Sequence, residues 1–150
     1  MPTIAQCPVA EDSLLRTYRG GKHPERWGHY GDCFSVSVDR AVTLGKFVLT
    51  FYTSPVLRIE RLILRVLAGA ASTDGEAREL AEGRLETLAV WTVGARMVDQ
   101  LLMCDRYGKT RSWFRVVPLA AGGTVLLGLH RMYSRVLLKV AARRCRDTKC

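Results

Sequence analysis

Acidic residues are scarce in this chain: 14 Asp and Glu stand against 23 Lys and Arg, leaving a net charge of +9. The excess is concentrated between Arg131 and Lys149, a block that could meet phosphates or an anionic membrane surface but is more simply read as a solvated helix face. Long apolar runs are also missing. The most hydrophobic segments carry a charge every three or four residues, which excludes a bilayer-crossing helix. No CxxC pair occurs, and the five cysteines (Cys7, Cys33, Cys104, Cys145, Cys150) are odd in number and irregular in spacing. That pattern excludes a disulfide framework and fits free thiols in a reducing setting. The N-terminus has neither a basic start nor an apolar core, so a secretory signal is not expected and the protein is placed in the cytoplasm. Catalytic signatures are lacking as well: there is no GxSxG, no GxxxxGK(S/T), no HExxH, and no GxGxxG after a strand. No catalytic residue, metal or cofactor is assigned.

What is present describes a globular protein. The 150 residues fit one domain, and 48% hydrophobic with 25% charged residues are enough for a packed core. Residues 1–31 read as a loosely structured segment, because Gly20-Gly21-Lys22-His23-Pro24, Gly28 and Gly31 interrupt any regular element. A single domain is expected over 32–146, with a tail at 147–150.

Within that domain Cys33–Asp39 alternates apolar and polar residues and predicts a first strand. Thr43 is placed to cap a helix ending before Pro55, and Ser54-Pro55 to start a second one that closes at Gly69. In that second helix Arg58, Arg61 and Arg65 share one face, and Ile59, Leu62, Ile63 and Val66 the other. The wide apolar arc is assigned to the core. Thr73 and Glu76 have capping-box spacing and predict a short helix from Asp74 to about Glu82. Period-two patterning between Ala89 and Leu119, with a turn at Asp105-Arg106-Tyr107-Gly108, predicts three strands. A long basic helix is then predicted from about Val125 to Arg144. The fold class is α+β: a curved antiparallel sheet packed on a long C-terminal helix, with a helical pair inserted after the first strand.

Such an architecture usually encloses a pocket, and a pocket points to binding. Its expected lining is Trp91, Leu102, Arg111, Trp113, His130 and Tyr133, with Arg111 and Trp113 on one sheet face and Ser112 and Phe114 on the other. A salt bridge from Arg111 to Asp99 or Asp105 is the default. The stripe Arg131, Arg135, Lys139, Arg143 repeats every four residues along one side of the last helix and could meet an anionic surface. Without interleaved aromatics or a recognised fold it does not indicate nucleic-acid binding. His23, His29 and Cys33 match no common zinc spacing.

Four segments carry a resemblance: Phe51-Tyr52-Thr53-Ser54-Pro55-Val56-Leu57-Arg58-Ile59-Glu60-Arg61, Asp99-Gln100-Leu101-Leu102-Met103-Cys104-Asp105, Thr110-Arg111-Ser112-Trp113 and Leu129-His130-Arg131-Met132-Tyr133-Ser134-Arg135. They are similar to those of a small bacterial group related to the START-like, polyketide-cyclase-like (SRPBCC, helix-grip) superfamily, over roughly residues 33 to 145. The resemblance implies a sheet gripping the C-terminal helix around an apolar cavity, and binding of a small hydrophobic or lipid-like molecule without catalysis. It implies no transferable catalytic residues. The alternatives are a cyclase or dehydratase using His130, Tyr133, Asp99 or Asp105, and a peripheral membrane or partner-binding protein using the Pro55–Leu67 helix and the basic C-terminal helix. The short Ala120–Thr124 link implies a grip shortened by one strand, with an open sheet edge that a homodimer would cover.

Overall fold

The computed structural model describes residues 3–20, 33–108, 110–129 and 134–147, the backbone alone at 129 and 134–137. Its elements in chain order are β1 (Ile4–Cys7), α1 (Leu14–Thr17), β2 (Cys33–Val38), α2 (Leu44–Tyr52), α3 (Pro55–Ala68), α4 (Asp74–Ala81), β3 (Thr87–Leu88), β4 (Trp91–Arg96), β5 (Gln100–Asp105), β6 (Arg111–Pro118), β7 (Thr124–Leu129) and α5 (Ser134–Asp147). All seven strands form one open antiparallel sheet in the order β1-β2-β7-β6-β5-β4-β3. The expected class, a sheet packed on a C-terminal helix with a helical pair after the Cys33 strand, is the class observed.

The strand thought to be missing is present. Residues 124–129, expected to open the last helix, instead form β7, paired with β6 on one side and β2 on the other. A strand with neighbours at both edges and layers on both faces needs apolar residues throughout, so Val125-Leu126-Leu127 shows no alternation. The sheet therefore has no open edge at β6. Its edges are the short strands β1 and β3.

Local capping explains the helices. Thr43 Oγ1 accepts from the Lys46 amide at 3.2 Å. Ser54 caps α3 with Pro55 in its first turn, and Gly69 closes it in the left-handed region at φ 62°. Thr73 and Glu76 complete a reciprocal capping box on α4.

The main core lies between the sheet and α2 and α5. Val36, Val38, Leu101, Met103, Phe114, Val116 and Leu126 project from one sheet face against Phe47, Val48, Phe51 and Tyr52 of α2. From α5, Leu138, Ala141, Ala142 and Cys145 enter at i, i+3, i+4 and i+7, the spacing of one helical face. Phe114 meets the edges of Phe47 and Phe51 at 5.6 and 4.8 Å between centroids, a geometry that adds about 0.5–1.5 kcal/mol per pair.

The N-terminal segment is not loose where it is described. β1 joins the sheet, and α1 covers the face opposite α5, where Val9, Leu15, Cys33, Leu102 and Trp113 form a second buried cluster. Gln100 Oε1 secures the cover by accepting from the Leu14 amide at 2.8 Å and from Trp113 Nε1 at 3.0 Å. Residues 21–32, including His23 and His29, lie outside the described residues.

Candidate functional site

Of the expected pocket residues that are described, Trp91 lies on one face of the sheet and Leu102, Arg111 and Trp113 on the other. Trp91 is buried in the main core, on the α5 side of the sheet. Leu102 and Trp113 point the other way, into the cluster beneath α1. Arg111 follows them outward: its guanidinium donates to the Tyr18 and Gly20 carbonyls at 3.3 and 2.9 Å and stands 5.1 Å from the Tyr18 ring centroid. Burial pushes the Arg111 pKa down. Strand parity is the cause: once Leu101, Met103 and Phe114 face the core, Leu102, Arg111 and Trp113 must face away. His130 and Tyr133 lie outside the described residues. So does Arg131, together with the side chain of Arg135, while Lys139 is exposed and Arg143 half-buried.

The two strand-flanking carboxylates are also separated. Asp99 precedes β5 and pairs with Arg115 Nε at 3.3 Å, whereas Asp105 ends β5 and accepts from Thr110 Oγ1 at 2.8 Å.

The feature that does assemble is α3, and its orientation corrects the assignment of its apolar arc to the core. Ile59, Leu62, Ile63, Val66 and Leu67 are 61, 58, 50, 72 and 80% exposed. They fall within one arc of the helix, since residues three and four apart share a face. Toward the body α3 presents Leu57, 1% exposed, and Arg61, 9% exposed. Arg61 is a bolt. Its Nε donates to Ser72 Oγ at 2.8 Å, Nη2 to the Ser72 carbonyl at 3.1 Å, and Nη1 to the Tyr52 carbonyl at 3.1 Å and Asp74 Oδ1 at 2.8 Å. A guanidinium with that many partners is stable under cover, and its anchoring leaves Ile59, Leu62, Ile63, Val66 and Leu67 turned outward.

The exposed stripe has a basic border. Arg58 and Arg65 are exposed on the flank between the stripe and the buried face. At the C-terminal end, Arg106 Nη2 donates to the Ala68 carbonyl at 3.1 Å and to Tyr107 Oη at 2.9 Å, and Tyr107 is half-exposed. Asp74 receives both Arg61 and Arg58, and these hydrogen bonds, that of Arg61 foremost, hold its carboxyl below the ordinary value of 3.8. Among the described residues no helix is long and apolar enough to cross a membrane, and α3 has 14 residues.

Arg58 also lines a cleft of about 550 Å³ beside the first turn of α3, between α2, α4 and α5. Lys46, Arg78 and Arg144 line it too, together with Asp74 and Glu82. Arg144 Nη1 donates there to the Thr50 carbonyl and to Thr53 Oγ1, each at 3.0 Å. Neither Arg61 nor this cleft was found from the sequence. The three-residue and four-residue steps between Arg58, Arg61 and Arg65 marked a shared face, but nothing local showed that Arg61 alone turns inward while Arg58 and Arg65 stay exposed.

No family model, curated protein or solved structure matches the chain.

Proposed function

We propose that this protein docks peripherally on an anionic membrane surface through α3. The observation that carries the reading is the arc of five exposed apolar side chains on one helix, bordered by Arg58 and Arg65. A helix of this design lies in the plane of the interface, its apolar face among the acyl chains and its arginines among the phosphates. Each arginine near an anionic leaflet adds about 1 kcal/mol. The partner is committed by charge: the chain carries +9 overall, and Arg106 and Tyr107 extend the border at the far end of the helix. Arg58 belongs both to the border of the stripe and to the lining of the cleft, where Arg58, Lys46, Arg78 and Arg144 outnumber Asp74 and Glu82.

Co-sedimentation with phosphatidylcholine vesicles, with and without an equal share of phosphatidylglycerol, tests this reading. The expected result is binding to the anionic vesicles only, weakening as salt rises. The Leu62→Gln, Val66→Gln double variant is expected to stay in the supernatant with an unchanged melting temperature. Equal binding of variant and wild type would overturn the proposal, as would a wild-type dimer that the variant dissolves while vesicles go unbound.

A second reading keeps a small hydrophobic ligand in the layer between the sheet and the C-terminal helix. The helix-grip resemblance supports it, and so does the Tyr52 hydroxyl, which is buried in that core with no hydrogen-bond partner among the described residues. Native mass spectrometry of protein purified from its own host tests it. A retained small molecule that is lost in Tyr52→Phe is the expected result, and an empty chain sinks it. The separation of Asp99 from Asp105 gives the cyclase-like reaction no such support.

A further inference from the structure

Cys7 and Cys33 stand directly opposite one another in the antiparallel pairing of β1 with β2. Their sulfurs are 2.8 Å apart. Directly opposed residues in such a pair hold their Cα atoms about 4.5–5.5 Å apart, inside the range that a disulfide spans. Closing the bond to its length of about 2.05 Å therefore asks for a small side-chain rotation and no backbone movement. Cys7 is half-buried and Cys33 fully buried, so a reagent from solvent meets Cys7 first. The pair ties the sheet's edge strand to its neighbour, and Cys33 and Cys7 both pack in the cluster that α1 covers.

We propose that Cys7 and Cys33 form a reversible disulfide by exchange with a small-molecule disulfide of the oxidised glutathione class, and that the bond locks the N-terminal cover onto the sheet. The Cys7 thiolate attacks one sulfur of the small disulfide, and its other half leaves as a thiolate with the bonding electron pair. Cys33 then gives its proton to solvent and attacks Cys7 Sγ, expelling the second small thiolate. The protein loses two protons and two electrons, and the small disulfide is reduced to two thiols. Burial raises the Cys33 pKa, which disfavours its thiolate, but a partner already in contact offsets that through proximity.

The full chain equilibrated with oxidised and reduced glutathione over a range of ratios, then acid-quenched, alkylated and peptide-mapped, tests the proposal. The expected product is a Cys7–Cys33 cross-linked peptide, with the bond itself removing about 2 Da. It should form unchanged in Cys104→Ser, and Cys33 should remain alkylatable as a free thiol in Cys7→Ser. Amide exchange at Cys7 and Val9, which flank Pro8, should slow on oxidation and recover on reduction. A stable glutathione adduct on Cys7 with Cys33 still free would overturn the proposal. So would a bond from Cys33 to another cysteine, a pair that stays reduced in fully oxidised glutathione, or a cross-link that leaves amide exchange unaltered.

Discussion

Arg61 Nη1 donates to Asp74 Oδ1 at 2.8 Å, joining the inner face of α3 to the first turn of α4. This contact helps to decide which side of α3 meets solvent. An amphipathic helix ordinarily turns its apolar arc inward, and here a buried guanidinium with carbonyl, hydroxyl and carboxylate partners holds the opposite rotation.

The clamp has a pH signature. The folded pKa of Asp74 is depressed below 3.8, so its stabilisation is fully present above that value and is lost as pH falls through the lowered one. Asp74→Asn should be less stable than wild type at neutral pH, by about 1 kcal/mol or less because the carboxylate is half-exposed and screened. The difference should shrink below pH 3.8. Urea unfolding of both proteins across a pH series measures it, and a gap independent of pH would sink the assignment.

The N-terminal cover is part of the folded unit. Leu15 is wholly buried against the outer sheet face, so Leu15→Ala should cost about 2–4 kcal/mol in chemical denaturation. Ile59→Ala on the exposed arc of α3 should change stability by about 0.5 kcal/mol or less. The reverse ranking would contradict both placements.

The entry into β7 is tight. A Cβ on Gly123 would stand 2.7 Å from the Val38 carbonyl oxygen, which is fixed in the pairing of β2 with β7. Gly123→Ala should therefore destabilise by about 1–3 kcal/mol through backbone displacement. Thermal melting of this variant reports on the strand directly, because a helix starting at Val125 would leave position 123 free of that contact.

The Tyr52 ring sits in an aromatic cluster, its centroid 5.4 Å from that of Phe51 and 5.8 Å from that of Phe114, and its hydroxyl is buried with it. Burial pushes its pKa up, and no partner among the described residues compensates the lost hydration. In protein free of ligand, Tyr52→Phe should be neutral or stabilising by up to about 1–2 kcal/mol. A loss of stability of similar size would show that the hydroxyl is hydrogen-bonded after all.

Much of the fold was legible because its signals are local. Thr43, Ser54-Pro55, Gly69 and the Thr73–Glu76 pair each act within one helical turn, and all four mark boundaries that the structure keeps. The alternation through β2 and the Asp105–Gly108 turn are local in the same sense. The candidate site was much less legible. Periodicity grouped Ile59, Leu62, Ile63 and Val66 correctly, but an apolar arc carries no label for core or solvent. Trp91 and Trp113 looked equivalent as strand aromatics, yet the register sends them to opposite faces of the sheet.

Residue order alone specified the helix caps, most strand periods, the basic excess and the α+β class, since these depend on neighbours a few positions apart. The rotation of α3 needed Tyr52, Ser72 and Asp74 in place around Arg61. The strand state of residues 124–129 needed β2 and β6 to satisfy its backbone from both sides. The outward turn of Trp113 needed Gln100 to receive its indole N–H and Leu15 to cover it. Each of these outcomes depends on groups from more than one element of the fold, beyond the reach of a single helical turn or strand period.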